Sequence, residues 1–478
     1  MQVSHKVSTV SVVFDEDNLL TDAGLVPVMA LAEQAGLDGL VDEHVRIVGA
    51  KNSAGANPGA KVTSVVAGMV SGADSFDDMN RLRAGATSKI FTGVRASSTI
   101  GTFLRVFTHG HNQQLEQVFR QVTANLVKTA GMLPGAGEFA FVDIDSLHLE
   151  TYGYAKQGAV NGRLKGKKTL HPLIATISTP LSRPVIAGIR MRRGNAADVR
   201  GASRFTAQIL KQARACGATG MIVLRGDSKF YSAKVVAAAL RNGAQVSITT
   251  GSNPAVNTAI TDYTSQHENT PDRGWTPIHY PNAFVDTETG ELISDAEVAE
   301  MPFTAFTSKP FAQQVNGRLI VRRVKRLNPR NTNGEADQLT LFDTWRHHAV
   351  FVTGTISLLQ AEAHHRAHAV MEQVNADAKA SALAHAPSGS FQANAAWATC
   401  WAIAHNLTRA AGHLASGHPQ GFYARATTPT IRATLINVPA RTATRARRTV
   451  LHGPTNWPHR QAFTLLHETV SARAPSAA

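Results

Sequence analysis

Cysteine is almost missing from this chain: 478 residues hold only Cys216 and Cys400. That excludes a disulfide scaffold and any Cys-rich zinc module, and it suits a reducing, cytoplasmic compartment. Long apolar runs are missing as well; none approaches the roughly 20 residues a membrane-spanning helix needs, so no membrane partner is expected. The start, Met1-Gln-Val-Ser-His-Lys6, leads into a polar-interrupted strand pattern ending in Asp15-Glu-Asp17 and reads as no secretory signal. Acids are scarce: 34 Asp and Glu stand against 48 Lys and Arg, a net charge of +14. A hydrophobic share of 43% with 17% charged residues excludes a disordered chain. What remains is a soluble globular protein that attracts polyanions.

The basic residues are clustered. From Gly421 to Ala478 there are eight Arg and one acid, Glu468. Arg441, Arg445, Arg447 and Arg448 stand together there as candidate contacts to a nucleic-acid backbone. Two further clusters, Lys165-Gly-Lys167-Lys168 and Arg322-Arg323-Val-Lys325-Arg326, point the same way. Asp286 to Glu300 holds six acids and no base, and is expected to face away from a bound polyanion.

The pattern predicts an α/β protein. Residues 1–133 read as a helical region, clearest from His111 to Gly131, where Leu115, Val118, Phe119, Val122 and Leu126 recur on one face. Ser98 is a plausible N-cap for Thr99–Arg105. With Arg81, Arg83, Arg95 and Arg105 this region reads equally as a DNA-binding helix-turn-helix-like module or a plain bundle. After Pro134-Gly-Ala-Gly137 the texture changes. Strands are expected at Phe139–Asp145, Pro172–Ser178, Pro184–Arg190, Met221–Leu224 and Gln245–Thr249, with helices at Ala197–Cys216 and Tyr231–Asn242. That is a mixed sheet covered by helices over 134–250. Residues 251–345 read as an inserted β subdomain, with Gly317–Arg322 a strand inside it. Ala349–Thr353 returns to the core, and helices at Leu359–Leu383 and Asn394–Leu414 complete a segment over 346–416. A basic tail, 417–478, follows.

Several motifs carry nothing. Gly162-Arg-Leu-Lys-Gly166-Lys-Lys-Thr169 has the wrong spacing for a phosphate loop, and Gly135-Ala-Gly137 precedes its strand, unlike a dinucleotide fingerprint. His364 and His368 could share a helix face toward zinc, but no third ligand is evident. The carboxylates say more. Asp143 and Asp145 fall two apart on an apolar strand and so share a face, where acids are costly unless a cation or donors neutralise them. Asp227 follows the buried strand at Met221–Leu224, the end at which open α/β sheets place their sites; its alternative is a helix N-cap. Glu372 lies mid-helix. Strand Asp, post-strand Asp and helical Glu form an oxygen set suited to two Mg²⁺ ions clamping the attacking and leaving oxygens of a phosphodiester.

In their order and flanking words these residues resemble the DDE transposases of bacterial insertion sequences, in the branch with a β insertion between the second Asp and the Glu. The matching words are Val142-Asp-Ile-Asp-Ser146, Arg192-Arg-Gly-Asn195, Arg225-Gly-Asp-Ser228, Glu372 with Lys379 seven residues on, Phe391-Gln-Ala-Asn394 and Ala404-His-Asn-Leu407. Ser98–Arg105 resembles the family's N-terminal region. The resemblance spans nearly the whole chain. It implies an RNase H-like core, Mg²⁺ or Mn²⁺ held by Asp145, Asp227 and Glu372, and action on double-stranded DNA: the element's terminal inverted repeats and a target. It implies hydrolysis at the transposon ends, then attack of the freed 3′-OH on target DNA, by a homodimer in the nucleoid. The motif favours Asp145 as first ligand, with Asp143 its neighbour or alternative. Lys379, Arg366 and His368 are the expected DNA contacts beside the metals. A non-catalytic DNA-binding derivative and an RNase H-like nuclease without strand transfer are the alternatives. Glu362, ten residues before Glu372 on the same expected helix, has no cation seven residues on to match Lys379 and reads as an ordinary acid.

Overall fold

The computed structural model describes residues 7–50, 53–153, 155–161, 166–270, 273–278, 296–325, 345–446 and 448–473. It divides into two units. One comprises Met1–Ala130, Ala155–Gln157 and Asp377–Ala478; the other comprises Gly131–Tyr154 and Gly158–Ala376.

The first unit is helical. Its N-terminal part contains α1 (Leu25–Gln34), α2 (Leu37–His44), α3 (Pro58–Ser71), α4 (Ser97–Arg105) and α5 (His109–Ala130). The expected stripe of α5 is buried throughout: Leu115, Val118, Phe119, Val122 and Leu126. Ala96, not Ser98, is the N-cap of α4, and it offers no side-chain bond.

The second unit is built on one nine-stranded sheet. In chain order its strands are β1 (Phe139–Ser146), β2 (Leu173–Ser178), β3 (Val185–Arg190), β4 (Met221–Gly226), β5 (Ala244–Thr249), β6 (Thr276–Ile278), β7 (Ala296–Ala305), β8 (Val315–Lys325) and β9 (Trp345–Val352). They lie in the order β6-β7-β8-β9-β5-β4-β1-β2-β3. Strands β1, β4 and β5 pair in parallel, while β2 runs antiparallel to both β1 and β3. This is a mixed sheet, as expected. Helices α6 (Ala202–Ala215), α7 (Ala233–Arg241) and α8 (Pro254–Gln266) belong to the same unit.

The expected insertion does not make a sheet of its own. Strand β9 pairs antiparallel with β5, and β8, β7 and β6 follow in antiparallel register, so the core sheet simply continues. Ile278, Val298, Ile320, Val350 and Val352 supply its buried face, joined by Ala361. Glu297 and Glu300, from the acidic stretch, pair across the ladder with Arg323 and Arg318.

Helix α6 begins five residues later than its periodicity suggests. Arg192 Nη1 donates to the carbonyls of Ala197, Asp198 and Arg200, and Gly201 then turns with φ 75° as the N-cap. The Arg192-Arg-Gly-Asn195 word has a second constraint: a Cβ on Gly194 would sit 1.9 Å from the Thr169 carbonyl oxygen, so no larger residue fits.

Where one long helix was expected near residues 359–383, there are two: α9 (Leu358–Arg366) and α10 (Val370–Lys379), joined by a 3₁₀ turn at Ala367–Ala369. Arg225 Nη1 donates to the His364 carbonyl at 2.5 Å. That is the acceptor an unbroken helix would offer to the N–H of His368.

The C-terminal region folds with the first unit. Helix α11 (Phe391–Ala415) is buried on nearly every side, as expected of a helix apolar all round. The region expected as a basic tail contains β10 (Ala440–Arg445) and β11 (Arg448–His452), a hairpin whose first strand pairs with Leu19–Leu20, and then α12 (Arg460–Ser471).

Arg323 was expected to face DNA; it is 8% exposed. Its guanidinium lies 4.1 Å from the centre of Trp275 and 4.3 Å from that of Trp345, and pairs with Glu297. A cation held between two rings and a carboxylate is a packing element. Arg323→Ala is therefore expected to lower stability by about 2 kcal/mol and leave DNA affinity unchanged. Thermal unfolding beside a binding titration checks this.

Candidate active site

Strand β1 alternates so that Phe141, Asp143 and Asp145 share one face. Its parallel partner β4 is in a register that sets Asp143 beside Arg225 and Ile144 beside Gly226. One step further, at the carboxyl ends of both strands, come Asp145 and Asp227.

Asp145 is half-buried. Its Oδ1 accepts from the Ser146 N–H at 2.6 Å and its Oδ2 from Asn375 Nδ2 at 2.8 Å. Burial raises its pKa, and the nearby Asp227 charge adds to that against the pull of the two donors. Asp227 is partly exposed. It caps the short turn Ser228–Phe230 by accepting from the Lys229 N–H, and Lys229 Nζ stands 3.3 Å from its other oxygen. Asp227 is thus a cap, of this 3₁₀ turn rather than of the helix that follows it.

Glu372 is exposed near the start of α10. It follows His368 by four residues and precedes Asn375 by three. His368 Nδ1 reaches Asp143 at 2.8 Å, and Asn375 reaches Asp145. Asn375 lies three residues after Glu372 on α10, and His368 lies on the 3₁₀ turn before that helix. Glu362 is 7% exposed and paired with Arg366 at 3.2 Å. Arg366, expected on DNA, is exposed and pairs with that acid. Lys379 is exposed at the end of α10.

Asp143 has a different environment. It is fully buried, and Arg225 Nε and Nη2 hold its two oxygens at 2.6 and 2.7 Å. The guanidinium carbon of Arg225 lies 3.7 Å from the centre of the Phe141 ring. Burial alone would raise the Asp143 pKa; Arg225 and His368 outweigh it and hold the carboxyl down to about 2. His368, expected on DNA, makes an internal contact through its Nδ1 with this carboxylate.

The other histidines of that segment diverge. His364 packs against the Phe139 and Phe141 rings, each 5.0 Å away between centres. His365 lies between the hydroxyls of Ser247 and Thr249, 2.9 Å from each, and burial pushes its pKa down to about 3. Among the described residues no three His, Cys, Asp or Glu side chains come together as a metal cluster. The chemistry of the strand-end donors nonetheless suits a hard divalent cation. Two neighbouring carboxylates, one half-buried with its pKa raised by burial, repel each other where a cation would relieve both costs.

Behind Asp145 a second network fixes the strand end. Ser146 Oγ donates to Asp198 at 2.6 Å, Asp198 lies 3.3 Å from His171 Nε2, and His148 stacks on His171 at 4.0 Å. Sequence reasoning assigned no role to Arg225, Asn375 or Asp198. Arg225 alone had a signal, its place in the Arg-Gly-Asp-Ser word.

The expected DNA-facing cations are dispersed. Lys167 pairs with Glu150 at 2.7 Å, Lys168 is half-buried in a short strand, and Arg322 is half-buried on β8. Arg445 and Arg448 are exposed partners across the β10–β11 hairpin, and Arg441 is exposed with Glu16 at 3.7 Å. Lys165 and Arg447 lie outside the described residues. No described helix is long and apolar enough to cross a membrane.

Residues 3–474 match the family described as transposase DDE domain, group 1. Among curated proteins none matches. The structure is similar to that of the piggyBac transposase in a synaptic complex with hairpin DNA, determined by cryo-electron microscopy. The identity is 10%, 96% of this chain and 83% of that chain are covered, and the TM-score is 0.42. At that distance the likeness carries no weight for individual residues. The family match runs through both strand-end aspartates and the helical glutamate, and on it the chain belongs to the transposase DDE domain family, group 1.

Proposed function

We propose that the chain is a cut-and-paste transposase of a bacterial insertion sequence. It binds the element's terminal inverted repeats, cleaves there, and joins the freed 3′-OH to target DNA as a homodimer in the nucleoid. The observation that carries this reading is the register of β1 and β4, which brings Asp145 and Asp227 together at the carboxyl ends of parallel strands. Asp145, Asp227 and Glu372 would hold Mg²⁺ or Mn²⁺. When bound, the metal lowers the cost of forming the attacking oxygen and stabilises the leaving one. Asn375 holds the Asp145 carboxylate in one orientation, and the Ser146 N–H fixes its other oxygen. Lys229 balances Asp227, and Lys379 supplies a cation beyond Glu372 for a phosphate. Asp143, with both oxygens engaged by Arg225, serves the interior and is no ligand.

The test is to incubate the protein and Mg²⁺ with DNA carrying the repeats that flank its gene. Cleavage at the repeat ends and a joined product are expected. Cleavage without joining would indicate a nuclease, and binding without cleavage an inactive derivative.

The hairpin arginines give a separate expectation. Replacing Arg441, Arg445 and Arg448 by Gln should weaken binding to any DNA sequence. It should flatten the slope of log K against log salt by roughly 3. A binding series in increasing salt measures this, and an unchanged slope would assign these residues to solubility.

A further inference from the structure

Each of the three proposed ligands follows, by two to four residues, one member of a single buried cluster. Asp143 precedes Asp145 by two residues on β1, Arg225 at the end of β4 precedes Asp227 by two, and His368 on the 3₁₀ turn precedes Glu372 by four. Arg225 grips Asp143 with two nitrogens, at 2.6 and 2.7 Å, and reaches the His364 carbonyl with a third. His368 closes the cluster on Asp143 Oδ1 at 2.8 Å. The three side chains are 0–16% exposed. One guanidinium therefore ties β1 to β4 and β4 to α9, and one imidazole ties the 3₁₀ turn between α9 and α10 back to β1.

We propose that Asp143, Arg225 and His368 form a positioning clasp that fixes the spacing of the three metal-binding carboxylates, with His368 setting where Glu372 stands. The inference rests on the assignment of Asp145, Asp227 and Glu372 as ligands. His368 is the member to test, because it lies at the rim of the cluster and its loss leaves the Arg225–Asp143 pair intact. Glu372 follows the 3₁₀ turn, where a helix end without a tether has several orientations open to it. Groups that orient metal ligands from behind typically change metal affinity by about 10–100-fold when removed.

The measurement is Mn²⁺ binding without DNA, read as loss of the free-ion electron paramagnetic resonance signal. It is made on the full chain and on His368→Ala, His368→Asn and Asp227→Ala, with thermal unfolding as a check on folding. Asp227→Ala should bind Mn²⁺ at least about tenfold more weakly than the unaltered chain, and so should His368→Ala. His368→Asn, whose amide can replace the Nδ1–H donor, should regain affinity to within about threefold of the starting value. If Asp227→Ala is weakened while folded His368→Ala binds like the unaltered chain, the clasp is overturned and the metal site stands. A failure of His368→Asn to recover any affinity would also count against the clasp. If Asp227→Ala itself binds Mn²⁺ like the unaltered chain, the metal assignment falls first and takes the clasp with it.

Discussion

Glu372→Gln is expected to abolish metal-dependent cleavage, while Glu362→Gln keeps it. Losing a ligand carboxylate removes several kcal/mol of stabilisation from the reaction, at 1.4 kcal/mol per tenfold about a thousandfold in rate or more. The two glutamates differ in what already holds them. Glu362 is buried and spends its charge on Arg366 one turn later, at 3.2 Å. Glu372 is exposed on α10, one turn before Asn375, which bonds Asp145. Glu362→Gln should therefore appear in unfolding, as a modest loss, and hardly in cleavage. Repeat binding should survive in both variants, because affinity rests on basic groups elsewhere. A live Glu372→Gln and a dead, folded Glu362→Gln would reverse the assignment.

The second large effect is on stability. Arg225→Met leaves Asp143 buried and charged without its bidentate partner, and should cost about 3–5 kcal/mol. Replacing both members, Asp143→Leu with Arg225→Met, should recover much of that loss, because the penalty comes from the stranded charge. The pH dependence has a definite sign. The folded-state pKa of Asp143, about 2, lies below the ordinary 3.8, so the folded state takes up the proton less readily. The pair's contribution is fully present above about pH 4 and is lost as pH falls through 2; the shift corresponds to about 2 kcal/mol. Acid unfolding of the double variant should lack that component. Denaturant unfolding at pH 7 and pH 3 measures both effects, and equal destabilisation by the single and double variants would contradict the account.

Much of the sheet was legible because its strands are continuous apolar runs cut by glycine and proline. Phe139–Ser146, Leu173–Ser178, Val185–Arg190 and Ala244–Thr249 lie within one or two residues of their expected bounds. Local pattern could not show what distant groups impose. Arg192 collects the carbonyls that delay α6, and Arg225 takes the carbonyl at the break between α9 and α10. Nor could strand pattern show that the insertion prolongs the sheet, since an edge strand reads alike whether its partner is the core or a new sheet. Position alone puts Asp145 and Asp227 near the carboxyl ends of β1 and β4, where they stand. Period two puts Asp143 and Asp145 on one face; what it could not show is that Asp143 stands against Arg225 in the interior. Counting cations misled at Arg323, which is buried and paired with Glu297.

The most direct measurement is cleavage of end-labelled DNA carrying the terminal repeat, in Mg²⁺, by the unaltered chain and by Asp227→Ala. Asp227→Ala is chosen because this carboxylate is partly exposed and its removal should leave the fold intact. The account predicts cleavage at the repeat end by the unaltered chain, lost on chelation of the metal, and none by folded Asp227→Ala that still binds the repeat. Cleavage by Asp227→Ala at the rate of the unaltered chain would contradict it.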